Sequence, residues 1–124
     1  MPNPFVHVEL HTDDLAKAKQ FYTQLFGWKL EDMSMPGDQT YTYTMIKVGE
    51  GTGGGMMKNP MPGAPAAWLA YVGVDNVEES TRKAQKLGAK IVQDVMKVSD
   101  FGKMSVIQDP TGAHIAMWQP IGKM

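Results

Sequence analysis

Residues Phe5 to His11 alternate strictly. Val6, Val8 and Leu10 fall on one face of an extended chain, and Phe5, His7, Glu9 and His11 fall on the other. The apolar face predicts a strand laid on a core. The His-Glu-His face predicts contact with water or the lining of a cavity. The period then changes. Asp13 stands where an N-cap would, Leu15, Ala18, Tyr22 and Leu25 recur at helical spacing, and Gly27 suits the C-terminal cap. Trp28–Met33, Gln39–Val48 and Gly54–Lys58 read as strands, separated by turns at Met35-Pro-Gly-Asp38 and Gly49-Glu-Gly51.

A Pro-rich stretch, Asn59-Pro-Met-Pro-Gly-Ala-Pro65, precedes a second round of the same pattern. Trp68–Val74 reads as a strand. Asp75, with Glu78 three residues on, has the form of a capping box, and Val77, Thr81, Ala84 and Leu87 give a helix its inner stripe up to Gly88. Strands follow at Ala89–Val98, Met104–Gln108 and His114–Gln119, with turns at Ser99-Asp-Phe-Gly102 and Asp109-Pro-Thr-Gly112. The order is β-α-β-β-β twice. This predicts an α+β fold of two tandem βαβββ modules, over 4–58 and 67–120, with a linker over 59–66, in a single domain of 1–124. Neither module can bury both faces of its sheet alone. Pairing the two is expected to form a curved mixed sheet around a central cleft, with the helices outside.

Composition narrows the function. The chain has 124 residues, 43% of them apolar and 20% charged, with a formal net charge of −1. Its twelve basic residues form no basic stripe, so nucleic acid is not an expected partner. No apolar run approaches the roughly 20 residues of a membrane span. The first residues lack the charged and apolar regions of a signal peptide, so the start reads as native, and a cytoplasmic location is expected. There is no cysteine, which excludes disulfides, thiolate catalysis and zinc–thiolate sites. Gly49-Glu-Gly-Thr-Gly-Gly54 spells a dinucleotide fingerprint, but Pro60 and Pro62 forbid the helix that must follow, so it reads as a hairpin turn. No G-x-S-x-G nucleophile elbow occurs.

Several motifs together point to a family. They are His7-Val8, Asp14-Leu15, Phe21-Tyr22 and Phe26-Gly27-Trp28 in the first module, and Val74-Asp75-Asn76-Val77, Leu87-Gly88 and Asp109-Pro110-Thr111-Gly112 in the second. On these, from about residue 5 to residue 119, the chain resembles the vicinal oxygen chelate superfamily of glyoxalase I, bleomycin-resistance proteins and extradiol dioxygenases. Gly54-Gly-Met-Met57, Trp68-Leu-Ala-Tyr71 and Gly112-Ala-His-Ile-Ala-Met-Trp118 resemble its glyoxalase-like subgroup of mostly unassigned activity. The resemblance implies a divalent metal held by cleft-facing strand residues and acting as a Lewis acid on two vicinal substrate oxygens. Carried over position by position, the ligands become His7, Met57, Leu69 and Ala116. Only His7 is a good ligand, and catalytic sites generally need three. No resident metal or other cofactor is therefore expected, unless His7, Glu9, His11 and His114 formed an unconventional site.

The expected function is binding of a small organic molecule in the central cleft. His7 and Glu9 would be its polar or catalytic groups, because an unpaired buried carboxylate is costly as mere packing. Met57, Leu69, Tyr71, Phe101, His114, Ala116 and Trp118 would line the cleft, and Tyr41 and Tyr43 fall on a strand that could do so too. His11, near the helix cap, reads as structural or solvated. Trp68, out of phase with Leu69, is expected beneath a helix. The alternatives are a metal-dependent lyase or isomerase of the glyoxalase I type, and a metal-free acid/base enzyme using Glu9. A two-fold homodimer is an expected assembly.

Overall fold

The computed structural model of the chain describes residues 3–35, 38–61, 63–98 and 100–121, with side chains for all of these except 34, 35 and 38–42. The elements run β1 (Phe5–Thr12), α1 (Leu15–Phe26), β2 (Lys29–Met35), β3 (Asp38–Lys47), β4 (Gly54–Lys58), β5 (Ala67–Gly73), α2 (Val77–Lys86), β6 (Lys90–Val98), β7 (Gly102–Gln108) and β8 (His114–Pro120). The order β-α-β-β-β occurs twice, with parallel and antiparallel pairings, as an α+β fold. Pro36 and Gly37 of one predicted turn, and Ser99 of another, lie outside the described residues.

The chain forms two compact units. One is His7–Leu69; the other joins the N-terminal residues through Val6 to the chain from Ala70 on. In the first unit the strands run β2-β3-β4-β1, with β2–β3 and β3–β4 antiparallel and β1 parallel to β4. Leu10, Ile46 and Met56 form its buried core, and Leu15, Ala18 and Tyr22 of α1 pack on it with Trp28, Leu30 and Val48. Trp68 stands edge-on to Tyr22, ring centroids 5.4 Å apart, so it does pack against α1 as expected.

In the second unit the strands run β5-β8-β7-β6, and α2 buries Val77 and Thr81 completely. Val74, Val77, Ile107 and Met117 form the core. The N-terminal residues are stitched to β5: the Asn3 side-chain amide donates to the Gly73 carbonyl at 2.9 Å, and the Gly73 amide donates to the Pro4 carbonyl at 2.8 Å.

Both helices correct the sequence reading at their ends. The caps are Asp14 and Asn76, not Asp13 and Asp75. Asp14 accepts from the Lys17 amide and Asn76 from the Glu79 amide, each at 3.0 Å. A cap must immediately precede the first helical residue and reach the amide three further on, and the helices start at Leu15 and Val77. Glu78 is consequently no capping-box partner; its carboxylate pairs with Lys103. Leu25 and Leu87, assigned to the inner stripes, are 56% and 70% exposed. Each lies ten residues beyond the first residue of its stripe, which turns it about 80° away on a helix of 3.6 residues per turn. Gly27 does end α1, in the left-handed conformation with φ 72°.

Inside the second unit, one polar pair ties α2 to β7. The Thr81 hydroxyl donates to the Val77 carbonyl at 2.6 Å, so it accepts from the Ser105 hydroxyl at 2.8 Å. Both residues are fully buried. Thr81→Val would strand the Ser105 donor in an apolar setting. It is expected to lower unfolding free energy by about 1–3 kcal/mol, and a urea titration followed by circular dichroism measures this.

Candidate functional site

The His-Glu-His face of β1 is occupied by side chains, and Glu9 is only 6% exposed. Three groups meet it or each other. The Tyr43 hydroxyl on β3 donates to Glu9 Oε2 at 2.6 Å. His11 Nε2 lies 2.7 Å from Glu9 Oε1. His7 Nε2 lies 2.6 Å from the Tyr43 oxygen and 3.9 Å from Glu9 Oε2. A phenol has one proton to give. Tyr43 gives it to Glu9 and so accepts from His7 Nε2–H. The connected order is His7 to Tyr43 to Glu9, with His11 donating to the far carboxylate oxygen. Charge-assisted bonds of this length are about twice as strong as neutral ones, and each oxygen of the buried carboxylate has a donor.

Burial holds the His7 imidazole below its ordinary pKa, and the nearby Glu9 carboxylate offsets part of that. The arrangement can accept hydrogen bonds at a carboxylate and exchange protons at an imidazole, which are the elements of polar recognition and of acid/base work.

His7 and Glu9, the expected polar groups, lie close together, and His11, expected to be structural or solvated, is half-buried and bonded to Glu9. Tyr43 was grouped with apolar wall candidates, whereas its hydroxyl is the bridge. The Tyr41 side chain lies outside those described. Met57, opposite His11 in the β1–β4 register, is half-buried, and Leu69 is buried. Both belong to the same unit as Glu9. The remaining candidates belong to the other unit. There Tyr71 and Ala116 are paired across β5 and β8 and buried, Trp118 is half-buried, and Phe101 and His114 are exposed.

Val8, on the opposite face of β1 from Glu9, borders an apolar hollow of about 230 Å³ with Trp28, Ile46, Val48 and Trp68. It is separate from the polar quartet.

A resident catalytic metal generally needs three nitrogen, oxygen or sulfur ligands from the protein. His7, Met57, Leu69 and Ala116 offer one nitrogen, a thioether and two hydrocarbons. Glu9 and His11 are turned toward each other, and Glu9 and His7 toward Tyr43. Among the described residues no three His, Asp or Glu side chains form a group that could hold a metal ion. These residues do not fit the metal site that the family resemblance implies.

The chain belongs to the Glyoxalase/Bleomycin resistance protein/Dioxygenase superfamily, whose family model matches residues 5–117. It is 37% identical over 118 residues to the protein named "Putative glyoxylase CFP32" of Mycobacterium tuberculosis, covering 90% of this chain and 44% of that one. It is 30% identical over 129 residues to the anthracycline biosynthesis protein DnrV of Streptomyces peucetius, covering 90% and 45%. The chain thus spans less than half the length of these curated relatives. Among solved structures, methylmalonyl-CoA epimerase from Mycobacterium tuberculosis shares the fold with TM-score 0.70 at 16% identity, over 95% of this chain and 88% of that one. A hypothetical protein from Bacillus halodurans shares it with TM-score 0.75 at 13% identity, over 100% and 99%. No described helix is long and apolar enough to cross a membrane.

The lowered His7 pKa makes stability depend on pH. The unfolded chain takes up this proton at a higher pH than the folded one, so stability rises with pH through the window just below about 6.5. Acidification through that window is expected to lower the urea midpoint, and His7→Asn is expected to flatten this part of the profile. Asp32 and Asp94, held below the usual carboxylate range by hydrogen bonds from Lys19 and Arg82, titrate at lower pH and do not overlap it. Parallel profiles for wild type and variant would refute the assignment.

Proposed function

We propose that this chain binds a small organic molecule against the His7–Glu9 face of β1, using polar side chains in place of a resident divalent metal. The observation that carries this is the buried Glu9 carboxylate, held between Tyr43 and His11 with His7 beside it. A buried charge is costly to keep, and a core that needed only packing would not contain one. Met57 and Leu69, in the same unit, are the proposed apolar contacts. The names of relatives point the same way. An anthracycline biosynthesis protein and a methylmalonyl-CoA epimerase both concern small organic molecules.

One observation favours a catalytic version of this proposal. Beside Glu9 stands the His7 imidazole, which burial favours in its neutral form, and a neutral imidazole next to a carboxylate is a pair that metal-free acid/base chemistry can use. A metal-dependent lyase or isomerase of the glyoxalase I type draws no support from the donor set at His7, Met57, Leu69 and Ala116.

Two probes follow from those names: an anthracycline and methylmalonyl-CoA. Protein dialysed against metal-free buffer is expected to bind at least one of them by isothermal titration. His7→Ala or Glu9→Gln is expected to weaken that binding about tenfold or more, roughly 1.4 kcal/mol, with the folded circular dichroism spectrum retained. Elemental analysis is expected to find far less than one equivalent of transition metal per chain. A stoichiometric metal would overturn the metal-free proposal, and full affinity in both variants would overturn the site.

A further inference from the structure

The geometry points to Tyr43 and Gly55 as positioning residues of this site: the missing side chain at Gly55 lets Tyr43 cross β4 and set the hydrogen bonding of both Glu9 and His7. This rests on the reading of His7 and Glu9 given above.

Tyr43 is on β3 and Glu9 on β1, with β4 between them. In register, Glu9 lies opposite Gly55 and Gly55 lies opposite Met45. Side chains two apart on a strand share a face, so Tyr43, Met45, Gly55 and Glu9 project to one side. Two strand spacings separate β3 from β1, roughly 9–10 Å. For its hydroxyl to meet the Glu9 carboxylate, the Tyr43 ring must lie over β4. It lies over Gly55. A Cβ built on Gly55 would overlap the Tyr43 hydroxyl oxygen and two of its ring carbons. Every other residue type carries that Cβ, so only glycine leaves the path open. Glycine inside a strand weakens it, and here its absent side chain has an evident use.

The consequence reaches both functional groups. Without the Tyr43 hydroxyl, Glu9 Oε2 loses the donor at 2.6 Å and His7 Nε2–H loses the acceptor at 2.6 Å. Tyr43 therefore fixes which carboxylate oxygen is engaged and commits Nε2 of His7 as a donor. A bound molecule meets a carboxylate and an imidazole whose orientations are already set.

The test uses the full chain labelled with ¹⁵N histidine at about pH 8, where imidazoles are neutral. In wild type the His7 Nε2–H is expected to give a slowly exchanging proton signal. Tyr43→Phe keeps the ring and is expected to abolish that signal while backbone amide peaks away from the site stay in place. Gly55→Ala is expected to abolish it too, by expelling the ring. A stability cycle separates the steric cause. Gly55→Ala should lower Tm by roughly 4 °C or more in wild type and leave it unchanged or raised in a Tyr43→Ala background. Retention of the His7 signal in Tyr43→Phe would overturn the proposal, as would an equal Tm loss from Gly55→Ala in both backgrounds. If Gly55→Ala does not fold, the Tyr43→Phe spectrum still decides. None of these measurements needs a ligand, so they fail separately from the binding of the anthracycline and methylmalonyl-CoA probes.

Discussion

Taking a carboxylate out of water costs several kcal/mol unless protein donors replace the lost hydration. At Glu9 the replacement comes from two directions. His11 supplies one donor from the same strand, two residues on. Tyr43 supplies the other from β3, across an intervening strand. The local architecture follows from this requirement. β1 must lie parallel to β4 in a register that brings Gly55 beside Glu9, and β3 must run antiparallel to β4 so that Tyr43 faces the same way. A shift of one residue would turn Tyr43 to the α1 side of the sheet and remove its hydrogen bond to the carboxylate.

The two faces of β1 show how much of this could be read from residues alone. Strict alternation from Phe5 to His11 located the strand, and it separated Leu10, bound for the core beneath α1, from His7 and Glu9. Helix spacing with a glycine stop located α1 and its end at Gly27. The caps slipped by one because Asp13-Asp14 and Asp75-Asn76 are adjacent pairs of capable residues, and only the helix start chooses between them. Leu25 and Leu87 misled because a residue ten positions along a stripe has rotated off it. Tyr43 could not be assigned for a different reason. Its role depends on which residue of β4 lies beneath its ring, and register between strands is absent from a one-dimensional pattern. The run of three glycines from Gly53 was the visible trace of that close approach, and it reads equally well as a hairpin turn.

Family membership and donor chemistry pull apart in this chain. The superfamily match spans residues 5–117, so the scaffold is shared throughout. Yet by the family resemblance Met57, Leu69 and Ala116 fall at the expected ligand positions, and Glu9, His7 and His11 hydrogen-bond within the protein. The scaffold constrains where functional side chains are displayed. It does not by itself supply metal ligands at those positions.

The parallel pairing of β1 with β4 has a kinetic side. His7 and Glu9 come from the first strand, and Tyr43 is 36 and 34 residues further along. The hydroxyl has no surface to lie on until β4 has docked between β1 and β3. Contacts this far apart in sequence carry a loop-closure cost in chain entropy that must be met before they stabilise anything. Assembly of the quartet is therefore tied to the docking of β4. A growing chain that has emerged only as far as Lys47 already contains His7, Glu9, His11 and Tyr43, but not the glycine strand that brings the tyrosine to the carboxylate.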